Sequence, residues 1–65
     1  MNLPPKISMA AARVNAKKTQ EDVAIYLGVS KTTVVNYENG RTTPDWDTVK
    51  KLESFYRYPF DFVHI

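Results

Sequence analysis

Apolar residues recur along this chain at helical spacing in four stretches, each bounded by residues that start or stop helices. The sharpest runs from Thr19 to Gly40. Thr19 is placed to cap a helix, its hydroxyl accepting from the Asp22 backbone N–H while the Asp22 carboxylate reaches back. Val23, Ala24 and Leu27 then fall on one face, and Gly28 stands where a helix ends in a left-handed residue at little steric cost. Ser30 is the cap of a second helix over about residues 31–39, closed by Gly40. That helix contains Thr32-Thr33-Val34-Val35, a β-branched run that on propensity alone favours a strand. The signals at both ends and the three-residue spacing of Val34 and Tyr37 decide for a helix. Two capped helices joined by so tight a turn read as a helix-turn-helix.

The flanks supply a scaffold. Residues 6–16 are alanine-rich and helix-forming. The row Ile7, Ala11, Val14 and the row Met9, Ala12, Ala16 give that helix more than one apolar side, so it is expected to touch more than one neighbour. Before it, Pro4-Pro5 hold residues 1–6 extended, as an N-terminal arm or a helix lead-in. Lys17-Lys18 form a cationic joint. Beyond the loop Arg41-Thr42-Thr43-Pro44, Asp45 caps a helix to about Tyr56, with Trp46, Val49, Leu52 and Phe55 or Tyr56 as its inward stripe. The tail reads two ways: aromatics at 56, 58, 60 and 62 alternate as in a strand, while Pro59 can open a short helix that turns Phe60 and Val63 inward.

At 65 residues the chain holds one domain with one core. With no cysteine it has neither a disulfide nor a thiolate metal site. No apolar run approaches the ~20 residues of a membrane span. The start Met1-Asn2-Leu3-Pro4-Pro5 lacks a signal-peptide pattern, so a soluble cytoplasmic protein is expected. An enzyme is not: there is one histidine, His64, no Gly-rich phosphate loop and no carboxylate pair with a basic partner. No cofactor and no metal are expected. The net charge of +2 is small, but residues 1–43 carry six Lys or Arg against three Asp or Glu, and residues 44–65 carry three against four. The basic excess lies with the helix-turn-helix half, as a nucleic-acid footprint requires.

With these elements in order, the chain resembles the phage repressor/Cro-like helix-turn-helix family of DNA-binding domains. The resemblance runs from about Ile7 to Val63. It rests on Arg13, Thr19-Gln20, Val23-Ala24, Leu27-Gly28-Val29-Ser30, Val34, Tyr37-Glu38-Asn39-Gly40, Pro44 and the spacing of Leu52, Phe60 and Asp61. It implies an all-α, compact five-helix, lambda-repressor-like domain, with the tail as a short fifth helix. It also implies an ion pair between Arg13 and Glu38, in the bidentate geometry that arginine and carboxylate favour. Lys17 and Lys18 depart from the pattern, which usually has Gly and then Leu. Lys18 is expected to lay its stem over the core with its ammonium exposed.

Residues near the start of a recognition helix face base edges in the major groove. Here Lys31, Thr32 and Thr33 hold that place, with Asn36 one turn on; Lys31 suits guanine O6 or N7, and Asn36 suits adenine. The bland alternative for each is an exposed polar residue. Gln20 at a helix start, Asn39, Arg41, Thr42 and Thr43 past the recognition helix, and Lys17 and Lys18 at the joint are the candidate phosphate contacts. The implied protein is a sequence-specific transcriptional regulator, a repressor or Cro-like protein that reads a palindromic operator as a homodimer. Both a complete regulator and the first domain of a longer repressor fit such a chain. The rival reading is an antitoxin-type protein that acts mainly on another protein, with Tyr56, Tyr58, Phe60 and Phe62 as the contact surface.

Overall fold

A computed structural model describes residues 5–65; the proposed arm of residues 1–6 therefore lies mostly outside the described residues. The elements in chain order are a strand β1 (Ile7–Ser8), helices α1 (Met9–Asn15), α2 (Gln20–Leu27), α3 (Lys31–Glu38) and α4 (Trp46–Tyr56), a 3-10 turn (Phe60–Phe62) and a strand β2 (Val63–His64). Every α-helix begins with a side-chain cap. Ser8 accepts from the Ala11 N–H at 3.0 Å, Ser30 from Thr33 at 3.2 Å and Asp45 from Thr48 at 2.8 Å. Thr19 and Asp22 form the reciprocal capping box, at 3.0 and 2.8 Å. Gly28 takes φ 71°, and the N–H groups of Gly28 and Val29 return to the carbonyls of Ile25 and Ala24.

The core is Met9, Ala12, Val23, Ala24, Val34, Leu52, Tyr56, Phe60 and Val63, with Leu52 fully enclosed. Val34 at its centre explains why α3 is helical despite its β-branched run: burying that side chain outweighs propensities that differ by a few tenths of a kcal/mol per residue, roughly.

Four expectations need correction. The first helix is shorter than residues 6–16, because Ser8 stays extended as its cap and Ile7–Ser8 is strand. Val14 faces solvent, at 60 % exposure, so the inward side of α1 is the Met9, Ala12 row. Trp46 is 71 % exposed and does not belong to the inward stripe of α4; the Lys50 ammonium lies 5.1 Å from its ring centre. Phe55 is half-buried and stacks on Tyr26 with ring centres 4.0 Å apart, while Tyr56 and Leu52 enter the core.

The fourth correction concerns the tail: among the described residues there are four α-helices, not five. After Pro59 the chain makes one 3-10 turn and then runs extended, with Val63 paired to Ile7 and His64 to Ser8 in a parallel ladder. Glu53, not a residue of the tail, receives the Phe60 N–H, at 2.8 Å. The turn buries Phe60 and the strand buries Val63, as the helical reading expected of those two side chains, while the aromatics at 56, 58, 60 and 62 form no strand: Tyr56 belongs to α4 and 60–62 to the turn. A strand needs a partner for its backbone groups, and here that partner lies more than fifty positions away.

Three carboxylates tie the helix ends to pH. The Thr19 backbone N–H and hydroxyl lower the pKa of Asp22, the Thr48 hydroxyl and N–H lower that of Asp45, and the Phe60 N–H lowers that of Glu53. Each folded value lies below the unfolded one, so between the two values the unfolded chain binds more protons. Their contribution is complete above the ordinary carboxylate range of about 4 and is lost as pH falls through the lowered values. The midpoint of thermal unfolding should hold between pH 7 and 5 and fall below pH 4, roughly, on a circular-dichroism series. Asp22→Asn and Asp45→Asn should each flatten that fall.

Candidate nucleic-acid interface

The turn Gly28–Val29–Ser30 sets α3 against α2, with Val34 and Tyr37 turned toward the core. The candidate base readers lie at the start of α3 and one turn further along it. Lys31 and Thr32 are exposed in its first turn. Asn36 is half-buried one turn further on. Thr33 is also half-buried, and its hydroxyl lies 3.0 Å from that of Ser30, inside the cap. Asn39 ends the helix, Gly40 follows at φ 76°, and Arg41, Thr42 and Thr43 are exposed beyond it. The N–H groups of Arg41 and Thr42 both turn back to the Asn36 carbonyl, which fixes where this segment leaves the helix.

Behind this face, Arg13 Nε donates to Glu38 Oε2 at 2.7 Å, with the two side chains 15 % and 6 % exposed. Arg13 Nη2 reaches Glu38 Oε1 at 3.4 Å, and Arg13 Nη1 donates to the Lys18 carbonyl at 2.9 Å. One guanidinium thus ties α1, the joint after it and the end of α3. Gln20 Nε2 donates to the same Glu38 Oε1 at 3.0 Å. Beneath them Tyr56 is buried; its pKa is pushed up to about 12 by burial first and the Glu38 charge second, with Arg13 acting in the opposite sense. On the solvent side, Arg13, Thr19, Gln20, Glu21 and Lys31 line an open depression of about 300 Å³.

The joint explains the departure at Lys17 and Lys18. Lys17 sits at φ 61°, a left-handed conformation in which glycine carries no penalty and other residues do. Lys18 is half-buried with its ammonium 4.7 Å from the ring centre of Phe55, the ring that stacks on Tyr26, so the ammonium rests on an aromatic face where an exposed ammonium was expected. Lys17→Gly should therefore stabilise the domain by about 0.5–1 kcal/mol, seen as a higher urea midpoint with an unchanged slope.

A family model described as "Helix-turn-helix" matches residues 9–63, nearly the whole chain. The chain belongs to the phage repressor/Cro-like helix-turn-helix family. Among curated members it is 45 % identical over 47 residues to the "Cryptic phage CTXphi transcriptional repressor RstR" of Vibrio cholerae, across 72 % of this chain and 42 % of the repressor. The matched part thus spans less than half the length of that relative. No solved structure gives a significant match.

Within this family member, local reading did not find the bond from Gln20 to Glu38, nor Thr19 and Glu21 beside Lys31 on the depression wall. Residues 18 positions apart on different helices carry no spacing signal, so only the crossing of α2 and α3 joins them. The aromatic cluster weighed as a protein-docking surface is mostly drawn into the fold. Tyr56 and Phe60 are core, and Tyr58 and Phe62 are half-buried, with the Tyr58 hydroxyl donating to the Pro5 carbonyl.

Proposed function

We propose that this domain binds double-stranded DNA in a sequence-specific manner and represses transcription, with α3 in the major groove. The observation that carries the reading is the exposed start of α3. The Lys31 and Thr32 side chains project there without intramolecular hydrogen bonds among the described residues, on a helix braced from behind by Arg13 and Glu38. The name of the Vibrio cholerae relative as a phage transcriptional repressor supports it. Lys31, Thr32 and Asn36 are the base readers, with Thr33 a weaker partner because Ser30 engages its hydroxyl. Gln20, Asn39, Arg41, Thr42 and Thr43 meet phosphates on either side, with Lys17 a weaker contact; the Lys18 ammonium is engaged by the Phe55 ring and is the weakest of the set. The protein acts as a homodimer on a palindromic operator with half-sites about 34 Å apart, in the cytoplasm of a bacterium or infected host.

Selection of bound sites from random DNA, followed by footprinting, tests this. The expected result is a two-fold symmetric site whose binding weakens steeply with salt. No selective binding at ~50 mM salt, where phosphate contacts are strongest, overturns the reading. On the selected site, Asn36→Ala should lose about 1–3 kcal/mol at one base position, while Arg41→Ala should weaken all sequences alike and lower the salt slope by about 1.

A further inference from the structure

Gln20 is the one glutamine of the chain, and it stands first in α2 at the rim of the depression. A surface glutamine samples many rotamers, and holding it still for one phosphate costs entropy at the moment of binding. Here its amide nitrogen is already held by Glu38 Oε1 at 3.0 Å, and Glu38 is held by Arg13 at 2.7 Å. Glu38 lies in α3 and is nearly enclosed, so its carboxylate is a fixed point. One N–H of the Gln20 amide is spent on Glu38, and the second remains for a ligand in the depression.

We infer that Glu38 is a positioning residue for DNA binding: through the Gln20 amide it presets a phosphate contact at the start of α2, in register with the base readers on α3. The inference rests on the DNA reading above and assigns Glu38 a role beyond bracing the fold. Its consequence is unusual in sign. A carboxylate near DNA repels phosphates, so on charge alone Glu38→Gln tightens binding. As a positioning residue its replacement loosens binding. A glutamine at 38 has one acceptor oxygen to share between Arg13 and Gln20, where the carboxylate offers two.

The test uses the selected operator and variants shown by circular dichroism to be folded at the assay temperature. Gln20→Ala should weaken binding about tenfold, the worth of one hydrogen bond to a charged phosphate. In ethylation interference it should lose one phosphate per half-site, with base preference kept. Glu38→Gln should weaken binding by a similar factor and lose the same phosphate. The double variant should be no weaker than Gln20→Ala alone, because both changes remove one contact. Additive losses, a general weakening at every phosphate, or tighter binding by Glu38→Gln overturns the inference while leaving the DNA reading intact. A wild-type domain that selects no DNA overturns both.

A measurement on the unmodified protein stands apart from variant folding. The Gln20 side-chain amide should show the slow exchange and rigid ¹⁵N relaxation of a fixed group, unlike an exposed side-chain amide. Relaxation typical of a freely rotating surface amide overturns the inference.

Discussion

Arg13→Ala is expected to destabilise the domain by about 3 kcal/mol, the lower end of the cost of breaking a buried ion pair, since the Arg13 side chain is still 15 % exposed. The cost comes mainly from what is left behind. Glu38, 6 % exposed, is left with only the Gln20 amide as a side-chain partner, and the Lys18 carbonyl loses its donor. A chain of this length is typically stable by about 3–10 kcal/mol, so the loss removes about a third of its stability or more. Urea titration followed by circular dichroism checks this. Arg13→Lys should recover only part of the loss, because an ammonium cannot hold two carboxylate oxygens and a carbonyl in one plane. A change under about 1 kcal/mol would place the pair with ordinary surface ion pairs.

Phe60→Ala should cost about 3–5 kcal/mol, the usual range for truncating a buried aromatic. Phe60 is 5 % exposed, its ring centre lies 6.1 Å from that of Tyr56, and its N–H is held by Glu53. It is also the residue that brings the tail back to α4, so its loss loosens Val63 and the pairing of β2 with β1. Phe62→Ala, at a half-buried position two residues on, should cost about a third as much. Thermal unfolding of the two variants side by side separates a docked tail from a mobile one. Equal, small effects would mean that the tail contributes little to the core.

Both predictions involve contacts that span the chain, and they mark the limit of what local sequence can say. Thr19, Asp22 and Gly28 placed α2 to the residue, because capping and left-handed closure act within three or four positions. Ser30 and Asp45 did the same for the starts of α3 and α4. The β-branched run in α3 could be read correctly only by letting its ends outweigh its middle. At Lys17 the family pattern expected glycine; the left-handed backbone found there gives the physical reason, and Lys18, where an apolar residue is usual, sets its ammonium on the Phe55 ring.

The candidate DNA-facing residues were proposed from the motif, and Lys31 and Thr32 are exposed in the first turn of α3. Their supports were legible only in part. Arg13 and Glu38 were paired through family resemblance, and Gln20 was read as a phosphate contact without its tie to Glu38. Trp46 and Val14 were misread because helical periodicity gives an apolar stripe but not how far the neighbours extend along it.

The sequence alone thus determined where α2, α3 and α4 begin, where α2 ends and which half carries the basic excess, since these depend on residues within a turn of one another. The tertiary structure decided the strand pairing of the tail, the solvent side of α1 and α4, and the convergence of Arg13, Gln20 and Glu38. Those features depend on the approach of distant segments, which burial of a shared core sets and no local preference encodes.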